Sequence, residues 1–120
     1  MATPVHITAQ NFEVEITRST TPVLVDFWAA WCAPCRLVAP VVEALAQDNA
    51  GTLKVAKVDV DEAPELAERY NVQSIPTLAL FVQGQLVKWI VGYVPKPELQ
   101  RQIDAVLRTL PKRTVASANV

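Results

Sequence analysis

The two cysteines of this 120-residue chain, Cys32 and Cys35, lie together in the stretch WCAPC (31–35). Thiols this close in sequence can join and separate by thiol–disulfide exchange. Residues three apart on a helix share a face, with Cβ atoms about 5–6 Å apart. A disulfide needs about 3.5–4.5 Å between these atoms, so a small local adjustment closes the bond. The spacing therefore predicts a reversible dithiol, with a pair of inert buried thiols as the alternative.

Paired cysteines also occur in metal sites. Structural zinc takes four ligands, and beyond the cysteine pair the chain has one histidine, His6. A single chain therefore cannot complete a zinc site, although two chains that share their cysteines could. A calcium-binding EF-hand loop beginning at Asp59 would need glycine at Pro64 and glutamate at Tyr70, and the chain has neither. We expect no metal and no cofactor.

The elements on either side of the cysteines follow from the apolar pattern. PVLVDFWAA (22–30) is apolar on both faces apart from Asp26, as in a central strand of a parallel sheet. A helix is predicted over 33–48, and Pro34 fits its first turn, where a missing N–H costs no helical bond. Cys32 would then face unpaired backbone N–H groups and the positive end of the helix dipole. Both favour the thiolate, which is the nucleophile.

The rest of the chain alternates predicted strands and helices in the order βαβαβαββα. The other elements are a strand at 5–7, a helix with Thr8 as N-cap that ends near Arg18, a strand at 52–60, a short helix within 61–70, a hairpin of 77–83 and 85–92 that turns at Gln83 and Gly84, and a terminal helix with an apolar stripe from Leu99 to Leu110. Helical crossovers imply parallel strand pairs, and the hairpin adds antiparallel ones. The fold class is therefore α/β, with a mixed five-stranded sheet and helices on both faces. We expect residues 1–110 to form a single domain and residues 111–120 to be a mobile tail.

Composition argues against several classes of partner. The formal net charge is −1, with 11 basic and 12 acidic residues scattered along the chain, so no basic patch for nucleic acid is visible. No apolar run approaches the about 20 residues that cross a bilayer, and the N-terminus lacks a secretory signal pattern. We expect a cytoplasmic monomer with no nucleic-acid or membrane partner.

Taken together, these motifs resemble the thioredoxin family. WCAPC on a strand-to-helix turn, VDFWAAWC before it, AKVDVDEAPELAERYNVQSIPTL after it and VGY near the end are similar to thioredoxins, and the likeness runs over about residues 3–110. The resemblance implies a thioredoxin fold and a thiol–disulfide oxidoreductase that reduces disulfides in other proteins and serves cell redox homeostasis. It also implies recharging by an NADPH-dependent thioredoxin reductase. An acidified nucleophilic cysteine is a known property of thioredoxins.

The resemblance assigns roles to residues around the cysteines. Cys32, the exposed thiol, is the nucleophile that forms a mixed disulfide with the substrate, and Cys35, the deeper thiol, resolves it. Asp26 is the proton acceptor, because burial raises the pKa of a carboxyl towards neutral pH. Lys57 gives Asp26 electrostatic support. The residues alone leave open that Asp26 is a structural carboxylate paired with Lys57, or that Lys57 is a solvated lysine at a strand end.

The resemblance also implies a surface for substrate chains. Thioredoxins have a cis proline at the position of Pro76. Ile75 and Pro76 would form a ledge for the substrate backbone, with Trp31 and Gly92 completing a flat apolar rim for extended chains. Trp31 has a core position as its alternative, for which Trp28 is the better candidate. Trp89 and Tyr93 remain open, since aromatic residues in strands usually pack.

Two positions depart from the usual thioredoxin pattern. Ala33 replaces the usual glycine, and with Pro34 it tunes the redox poise of the pair. With helical φ, alanine would stabilise the helix by about 0.5–1 kcal/mol relative to glycine, whereas positive φ would strain the turn; we expect helical φ. YNVQSIPT (70–77) has no glycine where the family more often does, which bears on the choice of partner.

A second class of function is a binding module on the same fold, such as a chaperone or a subunit of a larger assembly. The intact cysteine pair argues against this alternative. Reduction of insulin with dithiothreitol as electron donor separates the two classes, because a binding module would give no turnover.

Overall fold

The structure of this chain is a computed structural model that describes residues 2–110. The predicted tail at 111–120 lies outside the described residues, as does Met1. Within residues 2–110, no helix is both long enough and apolar enough to cross a membrane.

Strands and helices follow one another along the described residues in the predicted order. Their bounds are β1 (Val5–Ile7), a π-helix (Glu13–Thr17), β2 (Val23–Trp28), α1 (Ala33–Asp48), β3 (Lys54–Asp59), α2 (Pro64–Arg69), β4 (Thr77–Val82), β5 (Gln85–Val91) and α3 (Lys96–Thr109). The predicted strands and the helix over 33–48 are confirmed.

The first helix is shorter than predicted and is a π-helix. The Asn11 side chain bonds back to the preceding chain: its Oδ1 accepts from the Thr8 N–H at 2.8 Å, and its Nδ2 donates to the His6 carbonyl at 2.9 Å. The Arg18 N–H donates to the Glu13 carbonyl at 2.9 Å, the i to i+5 bond of a π-helix.

The regular helix begins at Glu13 and not directly after Thr8, but Thr8 does cap the turn that leads into it. Its hydroxyl accepts from the Gln10 N–H at 3.2 Å, its carbonyl accepts from the Phe12 N–H at 3.1 Å, and the bond of its N–H to Asn11 completes a capping box.

The strands form one mixed sheet in the order β1-β3-β2-β4-β5. β1, β3 and β2 are parallel, whereas β4 is antiparallel to both β2 and β5. β2 is therefore paired on both sides, and its residues 23–27 are buried. This arrangement confirms the predicted α/β fold and places the strand that leads to the cysteines at the centre of the sheet.

Helices cover both faces of the sheet, as predicted. On one face the π-helix and α2 contribute to a buried cluster that includes Phe12, Ile16, Phe27, Leu66 and Phe81. On the other face α1 and α3 contribute to a cluster that includes Leu24, Val42, Leu45, Leu99 and Ile103. Burial of each large apolar side chain contributes about 1.5–3 kcal/mol. This packing holds α1 against the central strand and so determines where the cysteines lie.

The hairpin between β4 and β5 turns at Gln83 and Gly84, as predicted. Both residues have positive φ, 53° and 78°, as in a two-residue type I′ turn. Gly84 also lies against the π-helix, because a Cβ built there would come 2.7 Å from the Thr17 carbonyl oxygen. This glycine therefore meets two requirements at once, a left-handed turn and a close approach of two backbones.

We expect Gly84→Ala to destabilise the protein more than Gly51→Ala. Both glycines have positive φ, +78° and +87°, which costs an alanine about 1–2 kcal/mol. At Gly51 nothing lies within 4 Å of an added Cβ, whereas at Gly84 the clash with Thr17 adds about 1–3 kcal/mol. Urea unfolding of the two variants measures the difference. Equal losses of unfolding free energy would contradict the close approach at Gly84.

Candidate functional site

Cys32 lies at the junction between the central strand and α1. Its backbone is extended (φ −93°, ψ 109°), Ala33 is the first helical residue, and Pro34 lies in the first turn. The N–H of Cys35 donates to the Sγ of Cys32 at 3.2 Å. The sulfur thus accepts from one of the N–H groups that a helix leaves unpaired at its start. The predicted strand-to-helix junction is confirmed.

A disulfide joins Cys32 and Cys35, whose Cα atoms are 5.3 Å apart. The two residues are 4% and 3% exposed. The sequence suggested an exposed Cys32 and a deeper Cys35, but in this oxidised form both are equally buried, with Trp28 and Ile75 packed against them. A substrate must therefore lie close against the surrounding surface to bring its own sulfur to this pair.

Ala33 has no positive φ, as expected. Among the non-glycine residues from 2 to 110, positive φ is found at Asn71 and Gln83. Alanine in place of the family's usual glycine therefore leaves the turn unstrained and favours the start of the helix. Asn71 belongs to YNVQSIPT, and asparagine is one of the few non-glycine residues that adopt this backbone conformation readily.

Asp26 is a buried carboxyl on the central strand, 1% exposed. It lies opposite Lys57 of β3 and Leu78 of β4. Side chains alternate along a strand, so Asp26 shares a sheet face with Leu24, which packs in the cluster formed with α1 and α3. Neither carboxylate oxygen has a hydrogen-bond partner among the described residues. Burial raises the pKa of Asp26 from 3.8 to about 7, and the positive charge of Lys57 opposes this rise.

Lys57 does not form a direct ion pair with Asp26. The ion pairs of the described residues involve other side chains. The Lys57 Nζ lies 4.7 Å from the centre of the Trp28 ring instead, in a cation–π contact. Lys57 therefore acts on Asp26 through its charge alone, while its ammonium rests on a ring that packs against the cysteines. The structure therefore contradicts the alternative that Asp26 is a structural carboxylate paired with Lys57.

The predicted rim residues come together beside the cysteines. Ile75 packs against the buried group of Ala29, Cys32 and Cys35. The Ile75–Pro76 peptide bond is cis, as the resemblance implied. Gly92, with φ +88°, donates its N–H to the Pro76 carbonyl at 2.9 Å. This bond ties the end of β5 to the proline and places Gly92 at the same edge.

Trp31 is on the surface and not in the core, since it is 68% exposed. Its Nε1 donates to Asp61 Oδ2 at 2.9 Å, and the Asp61 N–H in turn donates to Asp59 Oδ1 at 2.9 Å. The indole is one wall of a groove of about 420 Å³, the Trp31 groove, which is also lined by Val60, Pro64, Ala67 and Ile75. Trp28, the alternative core candidate, is partly buried against the cysteines.

Sequence reasoning missed Val60 and Asp61 as members of this site. Both follow β3 directly, at the carboxyl end of a strand that runs parallel to the central one. Open α/β sheets hold their sites at this edge, so the strand order contained the signal. The open question about Trp89 and Tyr93 is also answered: they are 48% and 49% exposed and are not core residues.

Metal-ligating side chains do not gather in residues 2–110, where no group of three or more histidine, cysteine or acidic residues is found. His6 Nε2 lies 2.9 Å from the Glu62 carboxylate and so has a partner outside the cysteine cluster.

The family model "Thioredoxin" matches residues 3–105. The chain belongs to the thioredoxin family. It is 48% identical over 104 residues to Thioredoxin 1 of Nostoc sp., covering 87% of this chain and 97% of that one. It is 49% identical over 102 residues to the thioredoxin of Alicyclobacillus acidocaldarius, covering 85% and 96%, and 49% identical over 106 residues to that of Mycobacterium tuberculosis, covering 88% and 91%.

Membership of the thioredoxins confirms the predicted class of activity. The chain is a thiol–disulfide oxidoreductase of the protein-disulfide reductase type, and its redox-active disulfide is Cys32–Cys35. Thioredoxins as a family act on protein substrates and receive electrons from a thioredoxin reductase.

We expect Asp26→Asn to stabilise this thioredoxin at pH 8. With a pKa of about 7 in the folded state and 3.8 ordinarily, the folded protein holds a proton that the unfolded chain has lost. The unfolding free energy of the wild type therefore falls as pH rises from about 4 to 7 and then levels off. Asparagine cannot ionise, so the variant lacks this fall and gains on the order of 4 kcal/mol over the wild type at pH 8.

Urea unfolding at pH 4.5, 6 and 8 measures this effect as the difference between variant and wild type. Asp104→Asn, at an exposed position of α3, is the matched control and should show no comparable gain. If the Asp26→Asn difference is the same at all three pH values, Asp26 does not titrate in this range and the assignment is wrong.

Proposed function

We propose that this chain reduces protein disulfides with Cys32 as the nucleophile and Cys35 as the resolving thiol. The Cys32 thiolate attacks one substrate sulfur, the substrate disulfide breaks, and the other substrate sulfur leaves as a thiolate. Cys35, after losing its proton, attacks the Cys32 sulfur and releases the second substrate thiol. Two electrons pass to the substrate, and the Cys32–Cys35 disulfide remains.

One observation carries this assignment, the hydrogen bond of 3.2 Å from the Cys35 N–H to the Cys32 Sγ at the start of α1. A donor and a helix dipole directed at a sulfur stabilise its negative charge. Cys35 lies within the first turn and has no equivalent position. The two thiols therefore differ in the environment that makes a nucleophile, although they are equally buried in the oxidised form.

Asp26 is proposed as the acceptor of the Cys35 proton, with Lys57 as its electrostatic support. A general base works best when its pKa is close to the pH at which it acts. Burial raises the pKa of Asp26 to about 7, and the strand alternation places it on the face that α1 covers. Ala33 and Pro34, the residues between the cysteines, are proposed to tune the reduction potential through the geometry of this first turn.

Ile75, Pro76, Trp31 and Gly92 are proposed to hold the substrate chain. The backbone N–H and carbonyl of Ile75 take no hydrogen-bond partner within residues 2–110. They are therefore available to an extended substrate strand, which gains affinity from main-chain bonds of this kind. The exposed Trp31 ring and the open Gly92 backbone would border that strand.

The proposal extends to the setting in which the protein works. We propose that residues 1–110 act as one thioredoxin domain, that the chain is a cytoplasmic monomer without nucleic-acid or membrane partners, and that an NADPH-dependent thioredoxin reductase regenerates the dithiol. Family membership supports the reductase, and the scattered charge supports the absence of a nucleic-acid partner.

Trapping of the mixed disulfide tests these roles. Cys35→Ser should accumulate a covalent complex with a chain of insulin, because the resolving step is lost. Cys32→Ser should accumulate none. Mass spectrometry of the acid-quenched reaction measures both, and the wild type should reduce insulin with dithiothreitol as donor. A complex formed by Cys32→Ser and not by Cys35→Ser would exchange the two roles. No turnover by the wild type would favour a binding module.

A further inference from the structure

A second, smaller cavity lies beside the site on the far side of residues 72–74. This segment lines the Trp31 groove and also lines a cavity of about 220 Å³, the Trp89 pocket, whose other walls are Asn71, Thr77, Trp89 and Val91. The two hollows therefore share one wall, which continues directly into Ile75. No residue that lines the Trp89 pocket carries a charge.

The pocket follows from a mismatch in side-chain size between β4 and β5. Trp89 lies opposite Ala79, and Val91 lies opposite Thr77. The small β4 residues are buried, whereas Trp89 is 48% and Val91 62% exposed. The side chains of Trp89 and Val91 therefore project beyond their smaller partners on β4 and remain exposed to solvent. An apolar surface of this kind, left open on an outer strand of the sheet, favours contact with a further apolar group.

The pocket is continuous with the rim at both of its ends. Val91 precedes Gly92, whose N–H donates to the Pro76 carbonyl at 2.9 Å, and residues 72–74 precede Ile75, which packs against the cysteines. A substrate must lie against this rim, because Cys32 is only 4% exposed. The Trp89 pocket adjoins this rim through residues 72–74 and Val91, so a chain held at the rim can reach it.

We propose that the Trp89 pocket binds an apolar side chain of the substrate protein, a few residues along the chain from the cysteine whose disulfide is reduced. This inference rests on the proposed function of the site. It makes Trp89 and Val91 determinants of substrate choice, acting through binding at a distance from the reacting sulfurs. An apolar residue at that position of the substrate should raise kcat/KM about tenfold over serine.

A set of synthetic peptides tests the pocket. Each carries one cysteine in a mixed disulfide with 2-nitro-5-thiobenzoate, and a single leucine is moved from two to five residues on either side of that cysteine in a background of serine. The protein is first reduced with dithiothreitol and freed of it, so that its dithiol supplies the two electrons. Release of the coloured thiol in a single turnover then gives the second-order rate constant, which is compared as kcat/KM. The wild type should prefer leucine at one position about tenfold, Trp89→Phe should keep this preference, and Trp89→Ser should reduce the leucine-to-serine ratio to about one.

Val87→Ser is the matched control, since Val87 is on the same strand and 37% exposed but lines neither hollow. It should retain the leucine preference. The proposal is contradicted if the leucine preference persists in Trp89→Ser. It is also contradicted if kcat/KM of the wild type does not depend on the position of leucine. Sedimentation that shows self-association dependent on Trp89 contradicts it as well, because a second copy of the chain would then be the occupant.

Failure of the pocket and failure of the proposed function give different results. If the rates of peptide reduction do not depend on Trp89, the proposed pocket is wrong and the reductase assignment is unaffected. No release of thiol from any peptide, together with no reduction of insulin, removes both.

Discussion

The hydrogen bond from the Cys35 N–H to the Cys32 sulfur is the contact that distinguishes the two cysteines. It exists because the backbone stays extended at Cys32 and becomes helical at Ala33. The sulfur then occupies the end of the helix where N–H groups are unpaired and the dipole is positive. The central strand lies before this turn and the apolar face of α1 follows it, so the packing of the core also fixes the position of the Cys32 sulfur.

Burial of the Asp26 carboxyl opposes the stability of the fold. An ionised carboxylate without a hydrogen-bond partner is unfavourable inside a core. Burial therefore raises the pKa of Asp26 to about 7. Lys57 reduces the cost only through its charge, because its ammonium lies over Trp28. Despite this cost, the fold keeps a titratable carboxyl on the sheet face that α1 covers. Groups with strongly shifted pKa values are characteristic of functional sites.

Much of this arrangement was predictable because local pattern and global fold agree. The apolar run of β2, the proline after Cys32 and the acidic start of α2 each specify an element that the sheet also requires. The apolar spacing of a helix does not reveal a π-helix, which is defined here by the bond of 2.9 Å from the Arg18 N–H to the Glu13 carbonyl. The Trp31–Asp61 contact joins residues 30 apart in sequence. Trp89 is 48% exposed on the outer strand β5, and strand propensity does not indicate which strand is outermost.

The pH dependence of alkylation of the reduced protein shows directly whether the start of α1 acidifies Cys32. Iodoacetamide labelling of Cys35→Ser reports on Cys32, labelling of Cys32→Ser reports on Cys35, and the urea-unfolded chain gives the reference for each. The interaction at the start of α1 predicts that Cys32 reacts at a clearly lower pH than in the unfolded chain, whereas Cys35 does not. Two folded thiols that both follow the profile of the unfolded chain would contradict the account.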